Sequence, residues 1–248
     1  MTLKALGALI AATGVLVASL PAGAQGPIRI GASLSLTGTY AAIGQSLHRG
    51  YQLCVKHTND KGGVLGRRLE LVVEDDQSQP ATAARIYEKL ITQDRVDAIL
   101  GPYSSPITEA VADVAEKHRM AMVAPTAAAT SIFKKGRRFV FMVVSPTETW
   151  FEGLIDIAVK RGLKTIAVIN EDTIFPKAIA RAGLELAKKR GLSVVFVEAY
   201  PKGTTDFSAI LTKVRAVNPD VLAAATYFDD AVALTRQLKE SNVNPRML

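Results

Sequence analysis

Short apolar runs alternate along the chain with segments whose apolar residues recur at steps of three and four. The runs predict buried β-strands, and the segments between them predict amphipathic helices. Because helices separate most of the strands, we expect parallel sheets with helices on both faces. The predicted strands cover residues 28–36, 69–73, 97–100, 120–124, 139–144, 165–170, 193–199 and 220–226. The predicted helices cover residues 43–58, 81–93, 107–118, 147–161, 177–190 and 204–217, with a last helix opening at residue 227.

The alternation falls into two blocks, which predict two lobes of an α/β protein. The N-terminal lobe is expected to span residues 25–145 and the C-terminal lobe residues 146–248. Each block is short for a complete domain of this kind.

Residues 1–24 have the layout of a secretory signal peptide. Lys4 precedes an apolar run, and Ala22-Gly23-Ala24 places small residues before Gln25, so cleavage is expected after Ala24. The alternative is a membrane anchor, but the run is short for a span and no basic stop follows it. We therefore expect an exported protein.

Composition favours a globular protein and argues against nucleic acid as a partner. The chain has 248 residues and a formal charge of +7, but aromatic residues do not interleave with its short basic clusters. Cys54 is the single cysteine, which excludes an intramolecular disulfide, and we expect it to be a buried thiol on the apolar face of the first helix. His48, His57 and His118 show no spacing for a metal site, so no metal or other cofactor is expected.

The segment from Asp97 to Thr108 combines a strand, a Gly-Pro step and the start of a helix. Tyr103, Ser104 and Ser105 lie between the strand and the helix. Unpaired amides at a helix start favour an anion, and serine hydroxyls add donors. The alternative is that the two serines only cap the helix.

Other predicted strands end in similar loops, and the carboxyl ends of parallel strands meet at one edge of a sheet. These loops offer hydroxyl, glycine and aromatic residues, which suit a small molecule with a carboxylate and an apolar body. Tyr103, Phe175 and Tyr227 are expected to line the apolar part, although they could instead fill the ends of the sheets.

Catalytic motifs are missing from the sequence. It contains no Gly-x-Ser-x-Gly elbow, no phosphate-binding loop and no dinucleotide fingerprint. The acid pairs Asp75-Asp76 and Asp229-Asp230 could act as general acids, but such pairs at helix starts are usually caps. A binding protein is therefore favoured over an enzyme, and no catalytic residue is predicted.

The chain resembles the periplasmic substrate-binding proteins of ABC transporters, of the type I fold and the leucine/isoleucine/valine-binding group. The matching segments are residues 30–44, 59–66, 69–80, 96–105, 122–126, 166–175 and 204–208. The resemblance implies two lobes that close on an amino acid or similar small carboxylate. It also implies delivery to a membrane permease, a monomer and a periplasmic location. A ligand sensor of the same fold remains an alternative.

The resemblance also implies individual ligand contacts. Ser105 matches a serine that contacts the ligand carboxylate, and Thr126 follows the strand-end proline at a position where the backbone contacts the ligand. Phe175 stands where the family often has tyrosine, and Tyr227 matches an aromatic residue of the second lobe.

Two departures from the family concern contacts to the ligand: a threonine that helps to hold it, and an acid that holds its ammonium group. Ala128 stands where amino-acid binders commonly have threonine, unless Thr130 substitutes for it, and the family's acidic residue would lie beyond Leu248. Asp172 and Asp229 are the candidate substitutes for that acid. A pocket with Phe175 and Ala128 would also admit acids without an amine. Because the family normally continues past this length, the resemblance implies a truncated chain with exposed apolar surface on the first lobe.

Overall fold

The computed structural model describes residues 26–248 of the chain. The predicted signal peptide and its cleavage site lie outside the described residues. Five parallel strands form the first sheet, in the order β2-β1-β3-β4-β5. These strands are β1 (Ile28–Leu34), β2 (Leu69–Asp75), β3 (Ala98–Leu100), β4 (Met122–Ala124) and β5 (Val140–Met142).

The second sheet contains three parallel strands in the order β7-β6-β8. They are β6 (Thr165–Glu171), β7 (Ser193–Tyr200) and β8 (Val221–Ala225). Helices connect most of the strands of both sheets, so the predicted α/β class is confirmed. The helices are α1 (Ala41–Asp60), α2 (Pro80–Thr92), α3 (Ser105–His118), α4 (Glu152–Lys160), α5 (Ile174–Lys189), α6 (Ser208–Val217) and α7 (Phe228–Glu240).

Strand β6 shows how the apolar runs produce buried sheets. Ile166 and Val168 belong to the core that contains residues of α4 and α5, whereas Ala167 and Ile169 belong to the core beneath α6 and α7. Successive side chains of a strand point to opposite faces, so a strand covered on both faces must be apolar at every position. Each large side chain buried in this way contributes about 1.5–3 kcal/mol.

Several element boundaries differ from the sequence predictions. Helix α5 begins at Ile174 rather than at residue 177, because its first turn accommodates Pro176, whose missing N–H is not needed there. Helix α6 begins at Ser208 instead of residue 204. The helix predicted over residues 147–161 is a 3-10 turn, Thr147–Thr149, followed by α4.

The prediction for Cys54 is wrong, because this thiol is exposed. Helix α1 packs on the first sheet mainly along β1 and β2, so a narrow strip of the helix is covered. Gly44 and Tyr51 are buried on that strip, whereas Leu53 beside Cys54 is 53% exposed.

Apolar side chains are exposed where β4 and β5 form an edge of the first sheet. Val123 is 38%, Phe141 52% and Val143 65% exposed. These side chains form an exposed apolar patch on the first sheet. Across residues 26–248, we find no helix with the length and apolar character that a membrane crossing requires.

Candidate functional site

The end of β3 is fixed tightly before the chain enters α3. A Cβ atom on Gly101 would lie 2.9 Å from the Cα atom of Ala124, so the approach of β4 requires glycine here. The Tyr51 hydroxyl donates a 2.7 Å hydrogen bond to the Gly101 carbonyl. Thr126 Oγ1 donates a 3.0 Å hydrogen bond to the Pro102 carbonyl. These contacts hold the loop before α3 in one position.

Ser104 has the features of a ligand-binding residue at the start of α3. Its φ of 78° and ψ of 149° are rare for a residue with a side chain, and such a conformation costs about 1–3 kcal/mol. The side chain is 1% exposed, and its hydroxyl has no hydrogen-bond partner within residues 26–248. Ser105 Oγ accepts a 3.3 Å hydrogen bond from the Ala129 amide. The side chain of Ser104, the N-cap residue, forms no capping hydrogen bond to α3. The alternative interpretation, that Ser104 only caps the helix, is therefore removed.

A cavity of about 280 Å³ opens beside these serines, between the carboxyl ends of the two sheets. Its lining residues come from both sheets and their following helices. They are Ile43, Tyr103, Ser104, Ser105, Pro125, Thr126, Val144, Trp150, Phe175, Thr226, Tyr227 and Phe228. The amides of the first turn of α3 have no acceptor within the helix, so this end of the cavity favours an anion.

Aromatic rings form a connected group around the cavity. The Phe175 ring centroid lies 4.9 Å from that of Trp150 and 5.4 Å from that of Tyr227. Tyr227, from the second sheet, also contacts Tyr40 at 4.9 Å and Tyr103 at 6.3 Å, both from the first sheet. Burial raises the pKa of Tyr103 to about 12, so its hydroxyl is neutral at physiological pH. The rings therefore join the two sheets across the cavity.

A buried pair of acids lies behind Tyr227. Glu171 and Asp230 are 1% and 7% exposed, and their carboxyl groups influence each other's pKa. Burial raises the pKa of both groups, and the neighbouring carboxyl group raises the pKa of Glu171 further. Thr173 Oγ1 donates to Glu171 at 2.6 Å, and the Tyr200 hydroxyl donates to Asp230 at 3.1 Å.

Comparison with known proteins identifies the family. The family model described as periplasmic binding protein matches residues 27–248. The chain belongs to the periplasmic binding protein family.

Individual relatives agree with this assignment. The periplasmic binding protein is 30% identical to the Leu/Ile/Val-binding protein BraC3 of Rhizobium johnstonii, over 100% of this chain and 66% of that relative. The structure of the branched-chain amino acid transporter substrate-binding protein LivJ from Streptococcus pneumoniae, in complex with isoleucine, superposes with a TM-score of 0.81. That protein is 26% identical, and the match covers 89% of this chain and 63% of LivJ.

A solute-binding protein of an ABC transporter from Rhodopseudomonas palustris, in complex with 4-hydroxybenzoate, has the same fold. Its TM-score is 0.79 at 24% identity, and the match covers 88% of this chain and 59% of that protein. The chain thus spans about two thirds of the length of these relatives.

The structure brings most of the predicted site residues of this periplasmic binding protein to one cavity. Its lining includes Tyr103, Ser104, Ser105, Thr126, Phe175 and Tyr227. Ala128 is fully buried and lies behind the cavity lining, where its carbonyl accepts the Thr147 amide at 3.1 Å.

The two acids predicted for an ammonium group lie elsewhere. The side chain of Asp172 is 55% exposed and forms a 2.7 Å ion pair with Lys177. Asp229 is exposed at the first turn of α7 and lines a much smaller neighbouring cavity, with Tyr40 among its neighbours. Neither acid lines the main cavity, and their role in holding an ammonium group stays a prediction.

Sequence reasoning missed Tyr40, Trp150 and the pair Glu171–Asp230. Trp150 lies between the 3-10 turn and α4, where the sequence pattern predicted a regular helix. Its indole N–H donates a 3.0 Å hydrogen bond to the Ser145 carbonyl, which fixes the ring beside Phe175. No local sequence signal points to this contact.

Proposed function

We propose that the chain is the exported solute-binding component of an ABC transporter. It binds an amino acid or related small carboxylate between its two lobes, residues 25–145 and 146–248, and presents it to a membrane permease from the periplasm. The observation that supports this most strongly is the buried hydroxyl of Ser104, a residue that lines the main cavity at the start of α3, because this hydroxyl has no partner within the described residues.

The relatives support a small carboxylate as the ligand. The name of BraC3 states leucine, isoleucine and valine, the LivJ complex contains isoleucine, and the Rhodopseudomonas palustris complex contains 4-hydroxybenzoate. All of these molecules carry a carboxylate beside an apolar body. They are named as binding or solute-binding proteins, and we assign no catalytic residue here.

Closure of the two lobes supplies the mechanism of delivery. Tyr40 and Tyr103 from the first sheet contact Tyr227 from the second sheet, so the rings pack only when the lobes are together. A ligand that touches both lobes binds the closed form more tightly and shifts the population towards it. A permease that recognises the closed form then receives loaded protein. We propose that the protein acts as a monomer.

Replacing Ser104 with glycine is expected to weaken ligand binding while making the fold more stable. The hydroxyl would lose a charge-assisted hydrogen bond to the carboxylate, which lowers affinity about tenfold to hundredfold. Glycine tolerates the φ of Ser104, so the free energy of unfolding should rise by about 1 kcal/mol. Titration calorimetry with leucine and with 4-methylpentanoate, together with urea unfolding, measures both effects.

Ser105→Ala is the control for this experiment. It removes the hydrogen bond from the Ala129 amide and should lower the free energy of unfolding by about 1 kcal/mol. If Ser104→Gly instead lowers stability and leaves affinity unchanged, Ser104 has a structural role only and the anion site is refuted.

A further inference from the structure

We infer that the carboxyl pair Glu171–Asp230 holds one proton while the two lobes are in contact and releases it when they separate, so that acid favours the closed form. This inference rests on the proposed function, because lobe closure is part of it, and it adds a dependence of closure on pH. Three features of the pair lead to it: its position at the contact between the lobes, its burial, and the charged groups around it.

The pair lies where the two lobes touch. Glu171 ends β6 and Asp230 lies in the first turn of α7, so both acids belong to the second lobe. Tyr40 of the first lobe is 3% exposed, and its ring centroid lies 4.9 Å from that of Tyr227. Burial raises the pKa of Tyr40, and the charges of Glu171 and Asp230 raise it further. The first lobe therefore approaches the pair through Tyr40.

Burial makes two negative charges unfavourable at this place. A carboxylate that loses its hydration is destabilised unless donors or cations replace the water. Within residues 26–248, one side-chain hydroxyl donates to each acid: Thr173 to Glu171 at 2.6 Å and Tyr200 to Asp230 at 3.1 Å. These two donors replace only part of the hydration of two carboxylates. A proton on the pair removes one of the two charges and the repulsion between them.

The charged groups that face the pair act on its proton in opposite directions. Asp229 is negative and lies next to Asp230, so it favours the protonated form of that acid. The Lys202 ammonium group favours ionised Glu171, and it lies 4.7 Å from the centre of the Tyr40 ring. Burial raises the pKa of the surrounding tyrosines, which are therefore neutral at physiological pH: Tyr40, Tyr103, Tyr200 and Tyr227.

Separation of the lobes should lower the affinity of the pair for its proton. Lys202 follows β7 and stays with the acids in the second lobe, whereas Tyr40 leaves and water enters. The pKa of Glu171, which burial and then Asp230 raise in the closed form, falls back towards its ordinary value.

Closure therefore takes up a proton from the solvent. The stabilisation of the closed form is complete at low pH and is lost as the pH rises through the raised pKa. One proton changes the ratio of closed to open protein by at most about tenfold per pH unit.

Distances between spin labels on the two lobes test the inference on the full-length protein without a ligand. Cys54 is exposed on the first lobe, and Lys189→Cys adds a label site at the exposed end of α5 in the second lobe. Double electron–electron resonance should show a larger closed fraction at about pH 5 than at about pH 8. Glu171→Gln and Asp230→Asn should each remove most of this change. Glu240→Gln removes an exposed carboxyl group at the other end of α7 and should preserve it.

The possible outcomes separate the inference from the proposed function. A closed fraction of the wild-type protein that is equal at the two pH values, or larger at the higher one, would overturn the inference. A pH dependence that persists in both Glu171→Gln and Asp230→Asn would also overturn it. The solute-binding role is tested by adding leucine or 4-methylpentanoate to the same labelled protein at millimolar concentration. If the closed fraction follows pH as expected but neither compound raises it, the inference stands and the small-carboxylate function fails.

Discussion

Glu171→Gln is expected to become progressively more stable than the wild-type protein as the pH rises from about 4 to 8. The pKa of Glu171 is raised in the folded state, first by burial and then by Asp230, so the folded protein holds a proton that the unfolded chain releases. Stability from such a group is present at low pH and is lost as the pH rises towards the raised pKa. Each unit of pKa shift corresponds to about 1.4 kcal/mol.

Glutamine removes this ionisation and keeps the shape of the side chain, so we expect the variant to have a higher free energy of unfolding than the wild type at neutral pH. The charged and titratable groups around the pair are Asp229, Tyr40, Tyr200, Lys202 and Tyr227. Of these, the Lys202 ammonium group lowers the pKa of Glu171 and partly offsets the effect of Asp230. Urea unfolding of both proteins at a series of pH values measures the difference.

Asp220→Asn is a control for which the stability difference from the wild type should change with pH in the opposite direction. The amides of Lys164 and Thr165 donate to Asp220 and lower its pKa, so the wild-type carboxylate stabilises the fold above its usual titration range. Asp220→Asn should therefore lose stability relative to the wild type as the pH rises. A stability difference between Glu171→Gln and wild type that does not change with pH would show that Glu171 is not protonated in the fold.

Gly44→Ala is expected to lower the free energy of unfolding by about 3 kcal/mol. A Cβ atom at Gly44 would lie 2.0 Å from the carbonyl oxygen of Ser35, and backbone cannot move aside as a flexible side chain can. Ser35 follows β1 and leads into the loop that holds Tyr40. The clash would therefore push α1 away from the sheet and disturb the contact between Tyr40 and Tyr227.

Gly50→Ala is the matched control on the same helix. A Cβ atom at Gly50 meets nothing within 4 Å, so alanine should raise stability by up to about 1 kcal/mol through its higher helix propensity. Urea unfolding of the two variants should thus give shifts of opposite sign. Equal shifts would mean that the close approach of α1 to Ser35 does not exist in solution.

The sequence predicted the strands and the main cavity because both depend on local patterns. Strands buried on two faces must be continuously apolar, and loops at the carboxyl ends of parallel strands must meet. Ser104 and Ser105 could be found for this reason. The strained backbone of Ser104 could not be predicted, because a positive φ at a residue other than glycine leaves no local signal in the sequence.

The acids show which features of the site the sequence pattern does not fix. Asp172 and Asp229 were predicted to face a ligand, but the buried acids are their neighbours Glu171 and Asp230. A step of one residue along a strand places the side chain on the opposite face of the sheet, and the same step along a helix rotates the side chain by about 100° around the axis. A one-residue difference therefore decides which acid is buried. The spacing of apolar residues does not fix that choice at the end of β6 or at the start of α7.

The central claim is that the start of α3 binds a ligand carboxylate. The most direct measurement is titration calorimetry of the full-length protein with acids and their matched amides: 3-phenylpropanoate against 3-phenylpropanamide, and leucine against leucinamide. The account predicts that at least one acid binds, and binds about tenfold or more tightly than its amide, because the amide cannot accept the same charge-assisted hydrogen bonds. An amide that binds as tightly as its acid would contradict the account.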